Sequence, residues 1–176
     1  AGANPNALDP QGELGWEGEP LHFACGSNYK SQESFQIIQH LLNAGADPCR
    51  PRKDFSGNHS IHYTAQGKNP DEMRLLLQQR GVSIKQKNAQ GYTPMSIALE
   101  FMNLPMIGVL QDLGENINTP DSRGCAVLCR AIMCQNMEKF LALLLLGADP
   151  NYVTGQISPL MSCVRFNQQK MMEILL

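Results

Sequence analysis

Apolar residues recur along this chain at spacings of three and four, in short runs. Phe35, Ile38, Leu41 and Leu42 form one such stripe; Leu104, Ile107 and Leu110 form another; Met137, Phe140, Leu141 and Leu144 form a third. Side chains return to the same face of an α-helix about every 3.6 residues, so each run predicts a helix with one buried face. A glycine closes each run, and such a glycine ends a helix in the left-handed conformation. The glycines in this role are Gly2, Gly45, Gly81, Gly114 and Gly147, which lie 43, 36, 33 and 33 residues apart. The spacing settles onto a repeat.

A phrase recurs around these stops: Gly2-Ala3-Asn4-Pro5-Asn6, Gly45-Ala46-Asp47-Pro48-Cys49, Gly81-Val82-Ser83-Ile84, Gly114-Glu115-Asn116-Ile117-Asn118 and Gly147-Ala148-Asp149-Pro150-Asn151. A second phrase runs in step with it: Glu19-Pro20-Leu21-His22, His59-Ser60-Ile61-His62, Thr93-Pro94-Met95-Ser96, Ala126-Val127-Leu128-Cys129 and Ser158-Pro159-Leu160-Met161. Thr or Ser before Pro predicts a capped helix start, where the missing proline N–H is harmless. A small residue follows each phrase, Ala24, Thr64, Ala98, Ala131 or Cys163, and lets neighbouring helices approach. Between the two phrases stand Asp54-Phe55-Ser56-Gly57, Asn88-Ala89-Gln90-Gly91 and Asp121-Ser122-Arg123-Gly124, each suited to a tight turn. Each unit therefore reads as cap, helix, loop, longer helix, glycine stop and turn.

These paired phrases at a 33-residue period resemble the ankyrin repeat, with its Thr-Pro-Leu-His helix start and its Gly-Ala-Asp-x-Asn close. The resemblance covers nearly the whole chain. It implies an all-α ankyrin-repeat solenoid of stacked helix-turn-helix units joined by β-hairpin-like loops. It further implies fingers on one side, first helices lining a concave face and second helices forming the outer face. The units expected are a tail over residues 1–6, repeats over 7–49, 50–85, 86–118 and 119–151, and a truncated repeat over 152–176. No unit can bury its own apolar face, so stability has to come from stacking. The first unit exceeds the period, partly in a glycine-rich stretch holding Trp16. The histidine of the second phrase stands only at His22 and His62; Ser96, Cys129 and Met161 replace it, which puts the inter-unit bonds of later repeats in question.

Composition narrows the function. The 176 residues are 43% hydrophobic and 17% charged, with a formal net charge of −2, so the chain has material for a core and no global field for nucleic acid. The longest apolar run, Phe140 to Leu146, is too short to span a membrane, and no signal peptide is visible. The six cysteines lack a disulfide framework and read as small reduced hydrophobes, which points to a cytoplasmic protein. The methionines at helix positions, among them Met133, Met137, Met171 and Met172, read as core filler. The abrupt ends suggest a piece of a longer protein or larger complex.

No catalytic or cofactor signature emerges. His22 and His62 occupy the structural position of the repeat. His59 and His62 with Cys49 do not make a closed set of four zinc ligands. The glycine-rich stretch carries Glu13 and Glu17 and no following Lys, so it does not read as a phosphate cradle. Neither enzyme activity, cofactor nor metal is expected. The expected role is a scaffold that binds a protein or peptide through its groove and fingers. The residues singled out are Trp16, Arg52, Lys53, Lys87 and Arg123 on the fingers, and Tyr63, Gln66 and Arg130 on the first helices. Trp16 is either a plug over the local core or a partner anchor. The alternatives are a regulatory or localising segment of a larger enzyme, channel, bacterial effector or structural assembly.

Overall fold

The computed structural model describes residues 2–8, 18–26, 31–67, 69–101, 103–121 and 124–176. Among them are ten helices: α1 (Pro20–Gly26), α2 (Ser31–Asn43), α3 (Ser60–Gln66), α4 (Pro70–Leu77), α5 (Pro94–Glu100), α6 (Leu104–Asp112), α7 (Val127–Met133), α8 (Met137–Leu145), α9 (Pro159–Arg165) and α10 (Gln169–Leu175). The described residues contain no strand, and the fold is all-α. The predicted caps form: Thr93 Oγ1 accepts the Ser96 N–H at 3.3 Å and Ser158 Oγ accepts the Met161 N–H at 3.1 Å. Asn69 and Asn136 cap the second helices α4 and α8 in the same way.

The chain divides into two compact units, residues 1–106 and 107–176. In unit 1, α1 packs on α2 and α3, α3 packs on α4 and α5, and α2 packs on α4. Leu21, Ile38, Ile61, Met73, Leu76 and Met95 are fully buried there. In unit 2, α7 packs on α8 and α9, and α9 packs on α10, over a core that includes Ile107, Leu110, Leu128, Ile132, Phe140 and Leu143. Burying each such side chain contributes about 1.5–3 kcal/mol. Neighbouring pairs, rather than any pair alone, supply that burial.

The stops behave as their chemistry requires. Gly45, Gly81, Gly114 and Gly147 have φ of 91°, 88°, 92° and 85°, a region that an L side chain enters only with strain. The Asx residue two places later closes a local turn. Asp47, Asn116 and Asp149 accept the N–H of Cys49, Asn118 and Asn151 at 2.8–2.9 Å. The last Asn of the phrase reaches to the next unit. Asn6 Oδ1 accepts the Asp47 N–H at 2.8 Å, and Asn118 Oδ1 accepts the Asp149 N–H at 2.9 Å. The phrase is therefore a clasp between consecutive loops.

The connections between paired units are tight, hairpin-like fingers. Asp54, Asn88 and Asp121 each fold their turn by accepting backbone N–H groups downstream. Finger 1 (around Asp54 to Gly57) and finger 2 (around Asn88 to Gly91) are joined directly. Ala89 N–H donates to Ser56 O at 3.1 Å, and buried Asn88 Nδ2 donates to buried Asn58 Oδ1 at 2.7 Å. Gly57 is required here for space as well as for its φ of 55°. A Cβ on it would lie 2.7 Å from the Ala89 Cβ.

Two expectations from composition are corrected. Met133 is 50% exposed and fills no core, because it sits at the outer end of α7 facing a cleft. Cys134 is also exposed, whereas Cys25, Cys129 and Cys163 are buried; all six thiols are unpaired.

Candidate functional site

Finger 1 separates two kinds of cation. Arg52 turns inward: its side chain is only 15% exposed, and Nε pairs with Asp54 Oδ2 at 3.0 Å. Its Nη1 donates to the Tyr63 hydroxyl at 3.2 Å, and its guanidinium lies 6.0 Å from the centre of the Phe23 ring. Tyr63 also packs edge-on against His22, with ring centres 5.9 Å apart. Burial alone would raise Asp54, but the Ser56 hydroxyl, Arg52 and two backbone N–H groups outweigh it and hold the carboxyl below its ordinary value. Arg52 and Tyr63 are thus brought together, as a brace between finger 1 and helices α1 and α3. Lys53 beside them is exposed, and so is Lys87 in the matching place on finger 2. Gln66 is half-buried at the end of α3.

The histidines of unit 1 are locks. The Glu19 N–H donates to His22 Nδ1 at 3.1 Å, and His22 Nε2 meets Arg50 O at 3.0 Å. The His59 N–H donates to His62 Nδ1 at 3.1 Å, while His62 Nε2 meets Gln86 O at 3.0 Å and Tyr92 O at 3.1 Å. One ring nitrogen must accept and the other must donate, so each imidazole has to be neutral. Burial accordingly lowers both pKa values, His62 to about 4. His59 adds Nδ1 to Cys49 O at 2.9 Å and Nε2 to Gln86 Nε2 at 3.3 Å. Every nitrogen of the His59–His62 pair is engaged with the protein, which leaves none to ligate a metal. Among the described residues no group of three or more His, Cys, Asp or Glu is arranged to hold one.

Unit 2 contains a cleft of about 490 Å³ between α7, α9 and the finger around Thr154 to Ile157. Cys129, Ile157 and Ser162 contribute to its lining, together with Met133, Phe166, Arg130 and Arg165. Arg130 is 24% exposed and pairs with Asp121, which is itself fixed by the turn of its own finger. Arg165 is exposed, with its guanidinium 5.8 Å from the Phe166 ring centre. Burial pushes the Cys125 thiol up to about 11 and also raises Cys129, so both line the cleft as neutral groups. The result is a largely apolar hollow with exposed Arg165 and the Asp121-paired Arg130 in its lining and no carboxylate among the lining residues. Such a hollow has the size and apolar lining to take an apolar side chain. A wider depression of about 580 Å³ lies over Phe35 and Leu75 on the second helices of unit 1, where Arg74 is already paired with Asp71.

Of the residues singled out from sequence, Trp16 and Arg123 lie outside the described residues. Sequence reasoning missed Phe55, which is 87% exposed at the tip of finger 1. Its place inside an Asp-x-x-Gly turn was the available signal, since a residue there points away from the helices. It also missed Met133, Arg165 and Phe166, whose convergence depends on how α7 packs against α9.

A family model described as ankyrin repeats (3 copies) matches residues 21–121 and 61–154. The chain is also similar to the transient receptor potential cation channel subfamily A member 1 of Homo sapiens, at 25% identity over 133 residues. That alignment takes in 76% of this chain and 11% of the channel protein, so the chain spans about a tenth of the length of this relative. No described helix is long and apolar enough to cross a membrane. With helix pairs, left-handed glycine stops, histidine locks and matching family positions all in register, the chain belongs to the ankyrin repeat family.

Proposed function

We propose that this protein is a non-catalytic, cytoplasmic interaction module that holds an extended segment of a protein partner between its first helices and its fingers. The observation that carries this reading is the cleft of unit 2, largely apolar and lined by Arg130 and Arg165 with no carboxylate. Arg130 belongs to that surface; Lys53, Lys87, Tyr63 and Gln66 belong to the corresponding side of unit 1. The repeat boundaries set out from the sequence are part of the same reading. Peptides selected from a random display library on the 176-residue chain test it. Peptides that occupy the cleft lose about tenfold or more in affinity when Met133→Glu places a charge on its wall, and less with Arg165→Ala. Both positions are exposed, so folding is preserved. Selected peptides that bind both variants as tightly as the parent chain would remove the cleft from the account.

A second reading is favoured by the short span of the channel relative that the chain covers. In it, the repeats are the regulatory or localising segment of a larger protein, such as a channel. The full-length coding sequence decides: a chain made of repeats alone would eliminate this reading.

A further inference from the structure

We propose that the tips of fingers 1 and 2 dock an acidic, extended segment of a protein partner; this rests on the reading of the fingers as a partner-binding surface and uses no residue of the unit 2 cleft. The two tips present the same register: Lys53-Asp54-Phe55-Ser56-Gly57 and Lys87-Asn88-Ala89-Gln90-Gly91. Both lysines directly precede their turn and both are exposed, as is Lys85. The one acid within residues 50–59 and 84–92 is Asp54, and it is turned inward onto Arg52 and the Ser56 hydroxyl. Arg50 is paired with Glu19 at 2.9 Å. The outward charge of the two tips is therefore carried by Lys53, Lys85 and Lys87. Phe55, 87% exposed, projects from the same tip as Lys53.

Two features turn these side chains into a surface rather than a scatter. The Ala89–Ser56 and Asn88–Asn58 bonds fix the backbones that bear Lys53 and Lys87 relative to one another. The inward Asp54 leaves the exposed charge all of one sign. An extended chain with carboxylates at intervals can meet successive lysines while one apolar side chain covers Phe55. A nucleic acid fits less well. A phosphate backbone needs a longer basic track, and this chain has a net charge of −2.

Fluorescence anisotropy of the 176-residue chain tests the proposal with three labelled probes: a short peptide of alternating Glu and Ser with a central Leu, the same peptide with Gln for Glu, and oligo-dT. The acidic peptide is expected to bind, to weaken as salt is raised, and to lose about tenfold or more in affinity in the double variant Lys53→Glu, Lys87→Glu. Lys53→Gln with Lys87→Gln should give a smaller loss, and Phe55→Ala a loss of several-fold, each with an unchanged melting temperature. The proposal is overturned if the acidic peptide fails to bind, if it binds the charge-reversed chain equally well, or if the Gln peptide binds as tightly. Tighter, lysine-dependent binding of oligo-dT would overturn it too. None of these results touches the peptides selected on the unit 2 cleft, whose capture is read with Met133→Glu.

Discussion

Helices α1 and α3 of unit 1 and helix α7 of unit 2 solve the same problem at their starts with different chemistry. In unit 1 the N–H that precedes the helix is received by a histidine ring, at His22 and again at His62. The far side of that ring then grips a carbonyl of the next finger. In unit 2 the Ala126 N–H goes straight to Thr154 Oγ1 of the next finger, at 3.1 Å, with Cys129 in the place of the histidine. Both arrangements satisfy a donor that helix geometry leaves without an internal partner, and both join that donor to the following finger. The histidine splits the task, holding the local N–H with one ring nitrogen and the next finger's carbonyl with the other, and it ties the strength of the joint to its own protonation state. A hydroxyl carries no such dependence.

The largest test removes a lock outright. His62 is fully buried, and His62→Ala leaves the His59 N–H and two finger carbonyls without their partner. A loss of roughly 3 kcal/mol is expected in urea unfolding. A loss below about 1 kcal/mol would mean that the ring is filler.

Acidification should separate the two units next. Residues 107–176 contain no histidine. The unfolded chain protonates His62 near 6.5 and the folded chain near 4, so the unfolded state takes up the extra proton as pH falls between those values. The stability from the neutral ring is complete above 6.5 and is lost on the way down to about 4, amounting to about 3 kcal/mol. His22 acts in the same direction. Glu72, whose carboxyl burial pushes up, acts in the opposite sense and offsets part of the loss at the acid end. Amide hydrogen exchange at successive pH values should show unit 1 losing protection ahead of unit 2. Equal loss in both units would break the comparison.

Smaller effects sharpen it. Thr154→Val keeps the shape of the side chain but orphans the Ala126 N–H, for about 1–2 kcal/mol. Met161 stands in the histidine position of the last pair and is 57% exposed, so Met161→Ala should stay within about 0.5 kcal/mol in the same unfolding assay.

What was legible in the sequence was what local chemistry decides. A glycine before Asx, a Ser or Thr before Pro, and an Asp or Asn three residues before Gly each act within a few residues, and each forms the turn or cap expected of it. The histidine lock was legible in part, because the repeat fixes where its ring points. Its substitution by Cys129 put the later joints in question, and Thr154, an ordinary finger residue in the sequence, supplies the bond instead. Charge was read less well. Arg52 and Lys53 are neighbours with the same formal charge, yet one is braced inside and the other faces out, because only Arg52 has Asp54, Tyr63 and Phe23 within reach. The cleft of unit 2 was not legible, since its walls come from α7, α9 and a finger that meet only after packing.

The contact of Gly57 with Ala89 has a consequence for how such a surface can change over generations. The pitch from one finger to the next is cast by backbone against backbone, below the level at which Lys53, Phe55 and Lys87 are displayed. Substitution of the displayed residues therefore re-letters the surface without respacing it. A side chain larger than hydrogen at Gly57 would do the reverse, prising neighbouring letters apart while leaving each of them unaltered.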